Sequence, residues 1–233
     1  MKETAHSTAS GRGGQSVLDW SRIDTVFMDM DGTLLDLHYD NRFWQEHVPL
    51  RWGEKNGLTQ QQAFDALYPR FKAKEGSLDW YCLDFWQREL ELDIVALKHE
   101  LAHLIRVLPH VHEFLHAVRE TGKRLVLVTN AHGQTLELKM AHVDIGRHFD
   151  LVLSAHEFGL PKEGKGFWDR VKDVEVFEKA RAVLVDDSVN VLRAARAYGM
   201  GQLVCMRRPD WRLPARVIDE FPAVETLKEI MPE

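Results

Sequence analysis

The chain has 233 residues, 45% of them hydrophobic and 28% charged; this globular balance excludes a disordered chain, a collagen-like repeat and a fibre. Thirty Lys and Arg against 36 Asp and Glu give a formal net charge of −6, which calls for neither nucleic acid nor an anionic membrane surface as partner. Two cysteines, Cys82 and Cys205, cannot by themselves build a disulfide framework or a zinc site, so a reducing cytoplasm is the expected compartment.

Residues 1–16 are rich in Ser, Thr and Gly and carry no apolar core of a secretory signal. A disordered tail is expected over 1–19. No apolar run approaches the roughly 18–20 residues that cross a bilayer, so no membrane span is expected. The first strand signal is Asp24 to Asp29, short, apolar and partly β-branched, closing on the turn sequence Asp29-Met-Asp-Gly-Thr33.

From Leu37 to about Pro109 no strand is convincing. Asn41 to Trp52 is aromatic-rich, with Pro49 as a kink or break. Thr59 can cap a helix through Phe64, Leu67 and Phe71. Leu78 to Leu90 carries Trp80, Tyr81, Phe85 and Trp86, and Asp93 can cap a helix from Ile94 to Val107. A helical module over 37–109 therefore stands between the first strand and the next.

Further strands are predicted at Arg124–Thr129, Leu151–Ser154, Ala182–Val185 and Gln202–Cys205. Continuous Val and Leu runs suit strands buried on both faces, as in a parallel sheet. Helical patterns at His110–Glu120, Gly133–Val143 and Val189–Tyr198 alternate with them, the last stopping at Gly199. The fold class is α/β: a Rossmann-like, doubly wound parallel sheet over 20–36 and 110–233, with a helical insertion.

In such sheets ligands bind beyond the carboxyl ends of the strands. Those ends carry Asp29 and Asp31, then Thr129 and Asn130, then Asp186 and Asp187, with Lys162 between the third and fourth strands. Carboxylates gathered from separate strands repel unless a cation sits among them. An oxygen-only set selects a hard ion, Mg²⁺ above all. A carboxylate beside such an ion can attack phosphorus, and Thr129, Asn130 and Lys162 can hold the phosphoryl oxygens.

These four motifs, in this order, resemble the haloacid dehalogenase superfamily of phosphohydrolases. The resemblance implies that Asp29 is the nucleophile of an aspartyl-phosphate. Asp31 would be the general acid/base, its backbone carbonyl also ligating Mg²⁺. Asp187 would ligate the ion directly and Asp186 through water or from behind. Thr129, Lys162 and Asn130 would bind the phosphoryl group, and the insertion would be the family's helical cap. Dehalogenating members lack the acid at Asp31, so its presence favours phosphate esters.

Longer stretches, among them Asn41-Arg-Phe-Trp44, Trp52-Gly-Glu-Lys-Asn-Gly57, Leu78 to Trp86, Thr129-Asn-Ala-His132 and His156 to Lys162, look like the GMP/IMP 5′-nucleotidase branch. That implies a small-molecule substrate, a purine nucleoside 5′-monophosphate. Most cap aromatics are expected to fill a small core. Trp80 and Tyr81 are candidates for contact with the base, and Arg42 and Lys55 for the nucleotide, with solvated charges as the plain alternative. Asp36 and Asp40 are expected at the entry to the cap. His99-Glu-Leu-Ala-His103 fits a zinc-helix string, but no third ligand is identifiable and it is read as chance. Rival functions are another small-metabolite or sugar phosphatase or phosphomutase on the same scaffold, a phospho-receiver module and a silent binding protein. Monomer and homodimer both stay open.

Overall fold

Apolar runs of four to six residues, with one two-residue edge strand, set the architecture. They form β1 (Thr25–Met28), β2 (Arg124–Thr129), β3 (Leu151–Ser154), β4 (Ala182–Asp186), β5 (Gln202–Met206) and the two-residue β6 (Ala223–Val224). The computed structural model describes residues 17–232. All pairings are parallel, in the order β3-β2-β1-β4-β5-β6. The order reverses direction at β1, which lies between β2 and β4.

Alternation along each strand divides the interior in two. Val26 and Met28 face one apolar cluster with Leu125, Leu127, Val183 and Val185. Phe27 faces the other with Val126, Val128 and Leu184. Helices cover both faces. The first cluster takes α7 (Val111–Glu120) and α8 (Gly133–His142), and the second takes α10 (Phe167–Val174) and α11 (Val189–Tyr198). This is the doubly wound arrangement expected from continuous apolar strands.

Between β1 and β2 the chain is helical: α1 (His38–Arg42), a π turn at Phe43–His47, α2 (Val48–Asn56), α3 (Gln60–Lys72), α4 (Leu78–Tyr81), α5 (Leu83–Leu90) and α6 (Ile94–Glu100). Pro49 falls in the first turn of α2, where a missing N–H costs nothing. Thr59 and Gln62 form a reciprocal capping box that starts α3. These helices bury their own cluster of Phe43, Val48, Leu67, Phe71, Leu83, Trp86, Leu90, Ile94 and Leu97. Residues 34–36 and 106–108 run alongside each other as the two passages into the module: Leu108 N donates to Leu34 O and Asp36 N to Arg106 O, both at 2.9 Å.

Several expectations are corrected. The helix expected over 94–107 ends at Glu100. Leu101 leaves helical geometry, and Ala102, Ile105 and Leu108 turn into the sheet-side cluster rather than the module's own. His99 and His103 therefore do not share one helix, which dissolves the zinc-helix string. The expected helix 78–90 breaks at Cys82, which is extended. The tail expected over 1–19 lies outside the described residues as far as 16, but Leu18 is buried in the core and Asp19 caps a short turn. The helix α10 and strand β6 were not anticipated; β6 is too short to carry a period.

After β3 comes α9 (Ala155–Phe158), capped by Ser154 and Glu157 and stopped by Gly159 at φ 65°. It leads into the Lys162 loop.

Candidate active site

The carboxyl ends of β1, β2 and β4 meet where the strand order reverses, and the loop after β3 folds over them. Asp29 follows β1, Asp186 ends β4 and Asp187 follows it. Oxygens of the three carboxylates lie within 4.8 Å of one another. Lys162 reaches in from the loop. Its Nζ donates to Asp29 Oδ1 at 2.5 Å, Asp186 Oδ2 at 2.7 Å and Val128 O at 3.2 Å, so all three ammonium hydrogens have acceptors. The side chain is 2% exposed. Asp186 Oδ1 accepts from Ser188 N at 2.8 Å, so both its oxygens are held by the protein. Asp29 Oδ2 is different: it is buried and has no hydrogen-bond partner among the described residues.

The electrostatics follow from crowding and burial. Burial pushes Asp29 up to about 6 against the pull of Lys162. Burial and then the Asp186 and Asp29 charges hold Asp187 well above the ordinary carboxylate range. Burial opposes the charge on Lys162, but Asp186 and Asp29 outweigh it and raise the ammonium above its usual value. An oxygen-only set with one orphaned carboxylate oxygen fits a hard divalent cation.

Gly32 lets the loop pass this closely. Its φ is +83°, and a Cβ there would stand 2.7 Å from Pro209 Cβ and 2.9 Å from Asp187 Cγ. Arg216 approaches from the C-terminal segment, with Nη2 3.5 Å from Asp187 Oδ2 and 2.6 Å from Asp187 O.

Asp31 belongs to a second charge cluster. Lys139 Nζ donates to Asp31 Oδ1 at 2.5 Å and Asp40 Oδ2 at 2.6 Å, and Lys98 Nζ reaches Asp40 Oδ1 at 3.1 Å. Both lysines are almost fully buried. Burial raises Asp31 to about 6, with Lys139 pulling the other way. Burial also acts upward on Asp40, but the two ammonium groups outweigh it and hold its carboxyl near 2. Asp40, expected only at the module's entry, is thus part of the site. Neither lysine was expected there.

Thr129 is buried at the end of β2, its Oγ1 accepting from Ala131 N at 3.0 Å. Asn130 is turned to the Lys162 loop. Its Oδ1 accepts from Lys162 N at 2.8 Å and its Nδ2 donates to Glu163 Oε2 at 2.9 Å, so its side chain braces that loop. Glu163 also accepts from Tyr81 OH at 3.4 Å, joining the helical module to the loop.

A cavity of about 530 Å³ opens from Asp31 into the module, walled by Trp44, Phe64, Tyr68, Phe71, Trp80 and Tyr81. Trp80 and Tyr81 both lie on this wall. Arg42 does not: it is exposed, pairs with Glu46 one turn on and is absent from the cavity wall. Lys55 is likewise spent on Glu91 at the surface. Trp86 is fully buried and fills the module's core. Among the described residues no helix is long and apolar enough to cross a membrane.

Residues 23–199 match the haloacid dehalogenase-like hydrolases. The chain is 37% identical over 213 residues to the GMP/IMP nucleotidase YrfG of Escherichia coli (strain K12), covering 91% of this chain and 96% of that one. In backbone it is similar to a HAD phosphatase from Thermococcus onnurineus, with a TM-score of 0.74 at 22% identity, over 89% of this chain and 96% of that one. A putative beta-phosphoglucomutase from Thermotoga maritima gives 0.63 at 17% identity, over 90% and 97%. At these identities the two structures show a shared fold.

Proposed function

The chain belongs to the haloacid dehalogenase-like hydrolase family, and from that premise we propose that it is a phosphomonoesterase acting on purine nucleoside 5′-monophosphates such as GMP and IMP. The observation that carries the chemistry is Asp29: a buried carboxylate at the sheet's switch point, one oxygen fixed by Lys162 and the other without a partner.

The Asp29 carboxylate attacks phosphorus, the ester oxygen leaves, and an aspartyl-phosphate forms. Asp31 gives its proton to the leaving oxygen, then takes one from the water that attacks the phospho-enzyme. Lys139 fixes the orientation of that carboxyl. The Thr129 hydroxyl and Lys162, which exchanges its long 3.2 Å bond to Val128 O, hold the non-bridging oxygens, where charge gathers in the transition state. Asn130 positions Lys162. Mg²⁺ bound by Asp29, Asp187 and the Asp31 carbonyl, with Asp186 in support, would neutralise the phosphate and orient it.

The helical module acts as the cap, excluding water and receiving the leaving group. Its cavity lies within the roughly 300–1,000 Å³ typical of small-molecule sites, and its aromatic walls suit a purine face. The similarity to the Escherichia coli nucleotidase supports that substrate class.

The test is phosphate release across a panel of nucleoside and sugar monophosphates with Mg²⁺, with Asp29→Asn alongside. GMP and IMP should be the best substrates and the variant inactive but folded. Preference for sugar phosphates would replace the substrate assignment. Activity in Asp29→Asn would end the mechanism.

A further inference from the structure

A second group of metal-ligating side chains lies at the junction of cap and core, apart from the three aspartates. Cys82 sits in the extended break between α4 and α5, His132 at the start of α8 and His156 in α9. One ligand atom from each lies within 4.8 Å of the others. The two imidazoles meet edge to face, with ring centroids 4.9 Å apart. His156 Nε2 is buried and has no hydrogen-bond partner among the described residues. Leaving a buried ring nitrogen unsatisfied costs stability, and simple packing of an imidazole edge gives no return for it. Asp84, two residues after Cys82, places Oδ2 3.7 Å from His132 Nε2.

We propose that Cys82, His132 and His156, with a water as fourth ligand, form a Zn²⁺ site that clasps the cap to the core. One thiolate and two imidazoles match the borderline-soft preference of zinc, unlike the all-oxygen set at Asp29. The unpartnered Nε2 of His156 is the ring atom available to ligate. Binding releases the Cys82 thiol proton to solvent as the S–Zn bond forms. Ligation through His132 Nε2 moves that ring's proton to Nδ1 and gives up the long 3.4 Å bond from Gln134 N. Cys82 directly follows Tyr81, which already bonds the Lys162 loop through Glu163. Zinc at this point therefore pins the cap segment beside the cavity mouth. The site stands whether or not purine nucleotides are the substrate.

Chelator-treated, reduced protein is titrated with Co²⁺ in excess Mg²⁺. One Co²⁺ per chain should bind with a thiolate-to-cobalt charge-transfer band and the intense visible absorption of tetrahedral cobalt, and Zn²⁺ should displace it. Cys82→Ser should lose the charge-transfer band. His156→Gln should weaken binding about tenfold or more, with circular dichroism confirming both folds. Asp187→Asn and Cys205→Ser should keep the band. Zinc should also slow amide exchange over 78–90 in the parent protein and not in His156→Gln. Absence of the band from the parent protein, its survival in Cys82→Ser or its loss in Asp187→Asn overturns the site. Exchange unchanged by bound zinc overturns the clasp.

Discussion

Lys139→Met tests the charge logic around Asp31 most directly. Methionine keeps the aliphatic stem on α8 but removes the ammonium that lies 2.5 Å from Asp31 and 2.6 Å from Asp40. Two buried carboxylates then face only Lys98, itself 3.1 Å from Asp40. Removing one partner of a buried ion pair costs about 3–5 kcal/mol. For a chain of this size that corresponds to a melting temperature lower by about 6–20 °C.

The loss should depend on pH. Burial already raises Asp31 to about 6 in the parent protein, and Lys139 opposes that rise. Without Lys139 the carboxyl in the folded state titrates higher still. A group with a raised folded pKa supports folding when protonated and loses that support as pH climbs through the folded value. At pH 5 Asp31 is protonated in both proteins. Above pH 6 it ionises in the parent while the variant is still paying to hold a proton or a bare charge. Urea unfolding of metal-free protein at pH 5 and pH 8 should therefore show a penalty larger at pH 8 by at least about 1.4 kcal/mol, one unit of pKa difference. Equal penalties at the two pH values, or a loss below about 1 kcal/mol, would refute the assignment of Lys139 as the cation that balances Asp31 and Asp40.

Gly32→Ala forces a Cβ against Pro209 and Asp187 at φ +83°; it should cost about 1–3 kcal/mol and raise the Mg²⁺ concentration needed for half-maximal phosphate release. Tyr81→Phe removes the bond to Glu163 that ties the cap to the Lys162 loop, so steady-state kinetics should show a higher KM with kcat nearly unchanged. Leu18→Ala opens a void in the sheet-side core and should destabilise the protein by about 2 kcal/mol or more in urea unfolding, whereas a free tail would give no effect.

The strands and the residues at their carboxyl ends were legible because both rest on local signals. Continuous apolar runs mark doubly covered strands, and the acids and Thr129 stand immediately after them. Parallel pairing then brings Asp29, Thr129 and Asp186 together whatever the loops do. Lys139 and Lys98 were missed although each leaves a trace. Thr135, Leu138 and Lys139 occupy i, i+3, i+4 positions on the buried face of α8, and Ile94, Leu97 and Lys98 do the same on α6. A lysine on an apolar face reads as a stem lying along the core with its head in water. Only the fold supplies the carboxylates that let these two ammonium groups stay inside. Asp31 is 108 residues from Lys139 in the chain, so no spacing rule links them. Arg42 failed for the opposite reason: a carboxylate one helical turn away, Glu46, takes its charge at the surface. The break at Cys82 was invisible because the apolar pattern of 78–90 continues across it.

The net charge of −6 and an anionic substrate are reconciled by how the buried charges are grouped. Asp31 and Asp40 are balanced by Lys139 and Lys98. The other group is not balanced. Asp29 and Asp186 meet Lys162 at contact distance, and Asp187 faces Arg216 at 3.5 Å, which leaves one surplus negative charge if all three acids ionise. A phosphate dianion meets repulsion in that state; burial first, and then the neighbouring carboxylates, raise Asp29 and Asp187 against ionising together. A divalent cation reverses the sign of the group. Cation and phosphate should then tighten each other's binding by the same factor, as linkage requires. The site therefore needs no basic surface to attract its substrate, and an acidic chain can carry it.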